Sequence, residues 1–169
     1  MSIVRLCASE QDYAAADDLR SKLAAWDATE THKMGIDGQS VLDFYYGAAA
    51  KLPQTATDAS YVSLLGFVGG EVGGCVSYRA MQPGICEMKH LYVRPAVRGS
   101  GLGRALVSSL ISHAREAGFG QMRLETVTFM GSAIRMYERV GFVRRPPYYE
   151  IPEIFLPITV FMEKDLALT

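Results

Sequence analysis

A chain of 169 residues, 49% hydrophobic and 21% charged, is expected to fold as one soluble domain over residues 1–169 with a core of its own. Its 17 basic and 18 acidic side chains leave a net charge of -1, which argues against a broad basic face for nucleic acid, and no stretch approaches the ~20 apolar residues that span a membrane. The three cysteines, Cys7, Cys75 and Cys86, suit neither a disulfide framework nor a zinc site, and the first residues lack the basic segment and apolar run of a signal peptide. Reduced thiols and a cytoplasmic location are therefore expected.

Residues 2–7 read as a first strand. From 9 to 26 the pattern turns helical: Ser9 can cap, Asp12 lies in the first turn, and Tyr13, Ala16, Leu19, Leu23 and Trp26 recur at three- and four-residue steps. Residues 27–39 read as a loop, 40–52 as a second helix ending before Pro53, and 55–60 as a loop. Two β-rich runs, 61–68 and 72–80, joined through Gly69-Gly70-Glu71, predict an antiparallel hairpin, and Pro83-Gly84 turns the chain into a third strand of the meander at 85–93. A helix over 101–117 carries Leu102, Leu106, Leu110 and Ala114 on one stripe and ends in the Schellman manner at Gly118-Phe119. A strand at 122–127 follows, then a helix at 132–140 with the same stop at Gly141-Phe142, a segment broken by Pro146, Pro147 and Pro152, and a last strand at 158–162. Strands that precede and alternate with helices spell one compact α/β unit.

Between the third strand and its helix, Arg98-Gly99-Ser100-Gly101-Leu102-Gly103 places three glycines on alternate residues. Backbone amides in such a turn approach a ligand unobstructed, and the following helix start favours an anion. A phosphorylated ligand is expected at Arg98, Gly99, Ser100, Gly101, Leu102, Gly103 and Arg104. A P-loop requires a Gly-Lys pair, and none occurs. A dinucleotide fingerprint begun at Gly99 would place its third glycine on Arg104, and the antiparallel meander upstream sits badly with a βαβ unit, although Glu125 lies near the spacing of a ribose-binding acid.

Arg98-x-x-Gly101-x-Gly103, preceded by Leu91-Tyr92-Val93-Arg94-Pro95, resembles the acetyl-CoA motif of the GNAT superfamily of N-acyltransferases. The segment Ala133-Ile134-Arg135-Met136-Tyr137-Glu138-Arg139-Val140-Gly141-Phe142 is similar to that family's A-x-x-L-Y-E-x-x-G-F helix, and the likeness covers roughly residues 61–166. The resemblance implies a single-domain α/β fold of GNAT type, with a mixed, mostly antiparallel central sheet flanked by helices. It implies an enzyme that moves the acetyl group of acetyl-CoA to a primary amine of a small molecule or peptide, by direct attack in a ternary complex and without a metal.

By the same resemblance, backbone groups of Leu91, Tyr92 and Val93 meet the pantetheine arm, and their amides are placed to stabilise an oxyanion. The amides of residues 98–104 and the Arg98 guanidinium hold the pyrophosphate. Tyr137 protonates the leaving sulfur, and Glu87, eleven residues before Arg98, acts as general base. Spacing alone also admits Tyr137 as a buried aromatic and Glu87 as a surface carboxylate paired with Lys89 or Arg123. The chain departs from the family at Met130, where many members carry an asparagine that bonds the cofactor; Thr126, Thr128 and Ser132 are the substitutes at hand. Strand alternation places His90 opposite Glu87, Lys89 and Leu91, and His32 and His113 lack partners that would make a metal site.

The acceptor of this family enters between the N-terminal helices and the loop before the last strand. Those regions hold Asp43, Phe44, Tyr45, Tyr46, Tyr148, Tyr149, Glu150 and Glu153, and aromatics with carboxylates suit a small cationic amine. A homodimer follows family habit. A non-catalytic acyl-CoA-binding module and a nucleotide-dependent oxidoreductase are the alternatives.

Overall fold

The computed structural model describes residues 2–46 and 61–167. Strand β1 (Ser2–Leu6) leads into helix α1 (Glu10–His32), then α2 (Gly38–Tyr46). The meander follows as β2 (Tyr61–Val68), β3 (Glu71–Gln82) and β4 (Ile85–Val93). Helix α3 (Leu102–Glu116), β5 (Gln121–Val127), α4 (Gly131–Arg139), β6 (Val143–Arg145) and β7 (Thr159–Asp165) complete the described elements. The strands make one sheet in the order β1-β2-β3-β4-β5-β7-β6. Among the described strands only β4 and β5 run parallel; the other pairs are antiparallel.

Local chemistry sets most of these boundaries. Ser9 accepts a hydrogen bond from the Asp12 amide at 3.2 Å, and Arg5 grips Asp12 with two guanidinium nitrogens at 2.6 and 2.7 Å. The turn Gly69-Gly70 has positive φ at both residues, as the tight hairpin between β2 and β3 requires. Both expected Schellman stops are made, by the Phe119 amide on the Ala114 carbonyl (3.1 Å) and the Phe142 amide on the Tyr137 carbonyl (3.0 Å).

Three expectations need correction. Residues 27–32 are not loop but the last turns of α1, where the Thr31 hydroxyl donates to the Asp27 carbonyl at 2.7 Å. Helix α2 starts at Gly38 rather than Ser40; the expected stretch 47–52 and the loop 55–60 lie outside the described residues. The short strand β6, too brief to show periodicity, pairs with β7 from Val143↔Glu163 to Arg145↔Phe161.

The sheet separates two interiors. On one side α3 and α4 pack Leu102, Leu106, Leu110, Ile134 and Tyr137 against Leu64, Val76, Met88, Leu124 and Met162. The approach is close because the strands are bare there. A Cβ added at Gly66 would lie 2.6 Å from Leu102 Cδ1, and one at Gly73 would lie 2.9 Å from Leu102 Cδ2. On the other side α1 covers Cys7, Leu65, Cys75 and Tyr92, while Val41 of α2 packs on Phe155 and Ile158 ahead of β7.

Candidate active site

Strand β4 changes phase in its middle. Cys75 of β3 faces Tyr92, but Ser77 faces Lys89, so β4 carries one extra residue across that interval. His90 absorbs it with φ of 58°, a β-bulge in a left-handed conformation uncommon for a residue with a Cβ. Before the bulge Met88 points toward α3; after it Leu91 and Val93 do. His90 consequently lies on the α1/α2 side, its ring between those of Tyr46 (6.4 Å) and Tyr61 (6.0 Å). Simple alternation placed it opposite Lys89, and the bulge overturns that.

The bulge coincides with a fork. β4 pairs with β5 only from Ile85↔Gln121 to Glu87↔Arg123, and beyond that point β5 stays with β7 through Val127. Among the described residues, the facing edge of β4 from Met88 to Val93 thus has no strand neighbour on that side. Below the fork is the glycine turn. Gly99 (φ 81°) and Gly101 (φ 85°) both adopt the left-handed conformation, so backbone geometry is what calls for glycine there. Leu102 is buried as a core residue, and its contribution at the turn is its amide, in the first helical turn with those of Gly103 and Arg104. Arg98 donates from Nε to the Val93 carbonyl at 3.0 Å and lies 5.8 Å from the Tyr92 ring centroid. These residues fit an acyl-CoA: open amides and a cation for its pyrophosphate, and an unpaired strand edge for its amide-bearing arm.

A cleft open in part to solvent lies at the fork between α1, α2, β4, β5 and α4. Leu91, Thr126, Met130 and Tyr137 line it. Tyr137 is 5% exposed and packs edge-on against Phe142. Burial raises its phenol pKa, and the nearby Asp27 charge adds to the rise, so the hydroxyl keeps its proton. At the family's asparagine position Met130 accepts a weak bond from the Thr126 hydroxyl at 3.6 Å to its sulfur. Ser132, offered as a cofactor contact, accepts a bond from Arg135 at 3.3 Å and does not line the cleft.

The opposite wall is polar. Lys89 lies between Glu125 (3.1 Å) and Glu87 (3.5 Å). Desolvation opposes its charge, but the two carboxylates outweigh it and its pKa is raised. Glu125 also receives the Tyr149 hydroxyl, and its pKa is raised by burial against the pull of Lys89. Glu87 is 1% exposed; Arg79 Nε reaches its Oε2 at 2.9 Å and the Tyr148 hydroxyl its Oε1 at 3.0 Å. It is neither the surface carboxylate that spacing allowed nor a lining residue of the cleft. Arg123, its other suggested partner, turns to Glu163 at 3.7 Å. His90 is held well below the usual histidine pKa by burial and by Arg20, Lys89 and Arg79.

Asp27 projects into this wall from α1. Tyr46 donates its hydroxyl to Oδ2, and burial pushes the carboxyl up to about 7. Of the aromatic residues expected near an acceptor, Tyr45 and Tyr46 line the cleft, and Phe44 stacks on Phe155 at 4.8 Å. Tyr148 and Tyr149 hold Glu87 and Glu125. Asp43, Glu150 and Glu153 are exposed at the surface. Asp27 and Lys89 were missed as site residues because their roles depend on partners far away in sequence. The cysteine thiols are buried and unpaired, with Cys75 and Cys86 pushed up to about 12 by burial, so none is an activated nucleophile. No group of three or more potential metal ligands occurs among the described residues.

Comparison with known proteins agrees with this geometry. The sequence model of the Acetyltransferase (GNAT) family matches residues 23–142, and the chain belongs to that family. It is 38% identical over 99 residues to an uncharacterized N-acetyltransferase of Schizosaccharomyces pombe, covering 58% of this chain and 59% of the relative. Over 99 residues it is 34% identical to an IAA acetyltransferase of Azospirillum brasilense, covering 57% of this chain and 63% of that protein. The alignments thus span less than two thirds of either relative. Among solved structures, a Klebsiella pneumoniae protein classed by inference as an acyl-CoA N-acyltransferase superposes with a TM-score of 0.70 at 29% identity, over 98% of both chains. A Salmonella typhimurium protein classed by inference as an acetyltransferase, solved with acetyl-CoA, superposes with a TM-score of 0.65 at 22% identity, over 99% of this chain and 95% of that one. The mixed seven-stranded sheet flanked by helices is the GNAT fold.

Proposed function

We propose that the protein transfers the acetyl group of acetyl-CoA to a primary amine by direct attack in a ternary complex. The observation that carries this reading is the position of Tyr137: its buried ring lines the cleft at the fork where β4 leaves β5. The amides of Gly99 to Arg104 and the Arg98 guanidinium bind the pyrophosphate, and the free edge of Leu91, Tyr92 and Val93 orients the pantetheine arm. An amide on that edge stabilises the oxyanion as the amine nitrogen bonds to the thioester carbon. When the carbon–sulfur bond breaks, Tyr137 donates its proton to the departing thiolate.

Glu87 takes a positioning role, because its oxygens already hold Arg79, Lys89 and Tyr148. The acceptor is a small cationic amine or a peptide amine, entering between α2 and the segment before β7. Asp27, Glu125, Tyr45 and Tyr46 on that side support the assignment, since carboxylates and aromatic faces both attract an ammonium. Buried thiols with raised pKa values support a mechanism without a covalent cysteine intermediate.

Thermal unfolding with excess acetyl-CoA, CoA, NADH and ATP tests the donor half. A ligand at 100 times its dissociation constant stabilises by about 2.7 kcal/mol, so acetyl-CoA and CoA are expected to raise the midpoint and NADH and ATP to leave it in place. An amine panel with detection of released thiol tests the acceptor half. Binding of acetyl-CoA without acetylation of any amine would instead favour a non-catalytic acyl-CoA module.

A further inference from the structure

A primary ammonium must lose a proton before its nitrogen can attack, and most of the polar wall is unsuited to take it. The oxygens of Glu87 are occupied by Arg79, Tyr148 and Lys89. Those of Glu125 are occupied by Lys89 and Tyr149. Lys89 is already protonated between the two, and His90, although its Nδ1 also has no hydrogen-bond partner among the described residues, is made a poor proton acceptor by burial and by the cations Arg20, Lys89 and Arg79. Asp27 differs. Its Oδ2 takes the Tyr46 hydroxyl, while Oδ1 is buried with no hydrogen-bond partner among the described residues. A buried acceptor atom without a donor is costly to maintain in a fold, and a bound ammonium would satisfy it.

We propose that Asp27 is the general base that takes the proton from the acceptor's ammonium, and that Tyr46 is the positioning residue that holds it there. This rests on the acetyl-transfer reading. Asp27 lines the same cleft as Tyr137, so the proposed base and acid share one space. The ammonium gives one proton to Asp27, and the neutral nitrogen then uses its freed pair to bond to the acetyl carbon. The carbon–sulfur pair leaves with sulfur, which takes the Tyr137 proton. The nitrogen's second proton restores the Tyr137 hydroxyl, its third stays on the amide, and the proton on Asp27 passes to solvent. A carboxyl pushed up to about 7 by burial is matched to this exchange at neutral pH. The titratable groups sharing the cleft are Tyr45 and Tyr46 of α2, Lys89 and His90 of β4, Glu125 of β5 and Tyr137 of α4.

The test compares kcat/KM against pH for the wild-type protein, Asp27→Asn and Tyr46→Phe, using an amine from the panel and with acetyl-CoA affinity measured for each. The wild type is expected to gain activity with an inflection near pH 7. Asp27→Asn is expected to lose roughly 100-fold and that inflection, while binding acetyl-CoA normally. Tyr46→Phe, lacking the donor that stabilises the ionised carboxyl, is expected to move the inflection to higher pH. In the free protein, ¹³C NMR of labelled aspartates should show one carboxyl titrating near neutrality, absent in Asp27→Asn. An Asp27→Asn variant within threefold of wild type with the inflection intact would overturn the base, as would a titration with no such carboxyl. An unmoved inflection in Tyr46→Phe would overturn the positioning role. Failure of the wild type to acetylate any amine would overturn the acetyl-transfer reading itself, and the base with it.

Discussion

Met88 and Lys89 are neighbours on one strand and look into two different interiors. Met88 faces α3, where Val76, Leu106, Leu110 and Met162 make an apolar layer. Lys89 faces α1 and α2, where Arg20, Ser63, Ser77, Glu87, Glu125 and Asp27 are drawn out of water beside the smaller apolar clusters of Leu19, Leu65 and Cys75 and of Val41, Phe155 and Ile158. The first interior is stabilised by burial, at about 1.5–3 kcal/mol for each large side chain. The second holds charges whose desolvation roughly cancels their attraction, so stability is a poor reason for its existence. Chemistry is the better one: the residues assigned to acid–base work reach the cleft from the polar side or from the fork that joins the two.

The comparison is broken most severely by changes that confuse the two roles. Tyr137→Phe removes one hydroxyl and no packing; it is expected to lower turnover by roughly 10²- to 10⁴-fold while leaving acetyl-CoA affinity and the unfolding midpoint unchanged. A matching loss of stability would place Tyr137 with the scaffold instead. Arg20 is fully buried and donates to Asp17, Ser63 and Ser77 at 2.6–2.8 Å. Arg20→Ala strips the partner from a buried network and should cost about 3–5 kcal/mol by denaturant unfolding. Leu106→Ala, on the apolar side, should cost about 2–5 kcal/mol, with kcat per folded molecule unchanged.

A smaller effect separates two aspartates by pH. Asp27 has a raised pKa in the folded state, so it keeps its proton between about pH 4 and 7 while the unfolded chain gives it up. Its contribution to stability is full below pH 4 and is lost as pH rises to about 7. Asp12 is shifted the other way by its bonds to Arg5 and the Ala8 amide. Its contribution is present above the ordinary aspartate range and is lost as acid protonates it. Unfolding midpoints measured from pH 3 to 8 should show Asp27→Asn flattening the neutral limb and Asp12→Asn the acid one. Smallest of all, Lys22→Ala breaks an exposed pair with Asp18 and should change stability by less than about 0.5 kcal/mol.

Sequence made the scaffold more visible than the polar wall for a physical reason. Leu102, Leu106 and Leu110 announce a helix face by spacing, and Gly118-Phe119 announces its end, because those signals are local. The glycine turn was legible for the same reason: φ of 81° and 85° at Gly99 and Gly101 leaves a mark in residue type. Asp27 gave no such mark. It sits in a run of polar residues that looks like a loop, and its meaning comes from Tyr46, nineteen positions away on another helix. The bulge at His90 was hidden because alternation presumes a constant step. Glu87 was found by family resemblance, yet its engagement with Tyr148, sixty-one positions on, could be known only from the fold.

The extra residue in β4 also sets what kind of variation the chain can accept. Leu91, Val93 and the glycine turn inherit their orientation from that one offset, so a single deletion between Lys89 and Leu91 would rotate everything after it to the wrong side until the turn. Substitution at His90 spares that arrangement, though most side chains would adopt its backbone with some strain. Residue count is the stricter constraint at this position, and residue type the looser one.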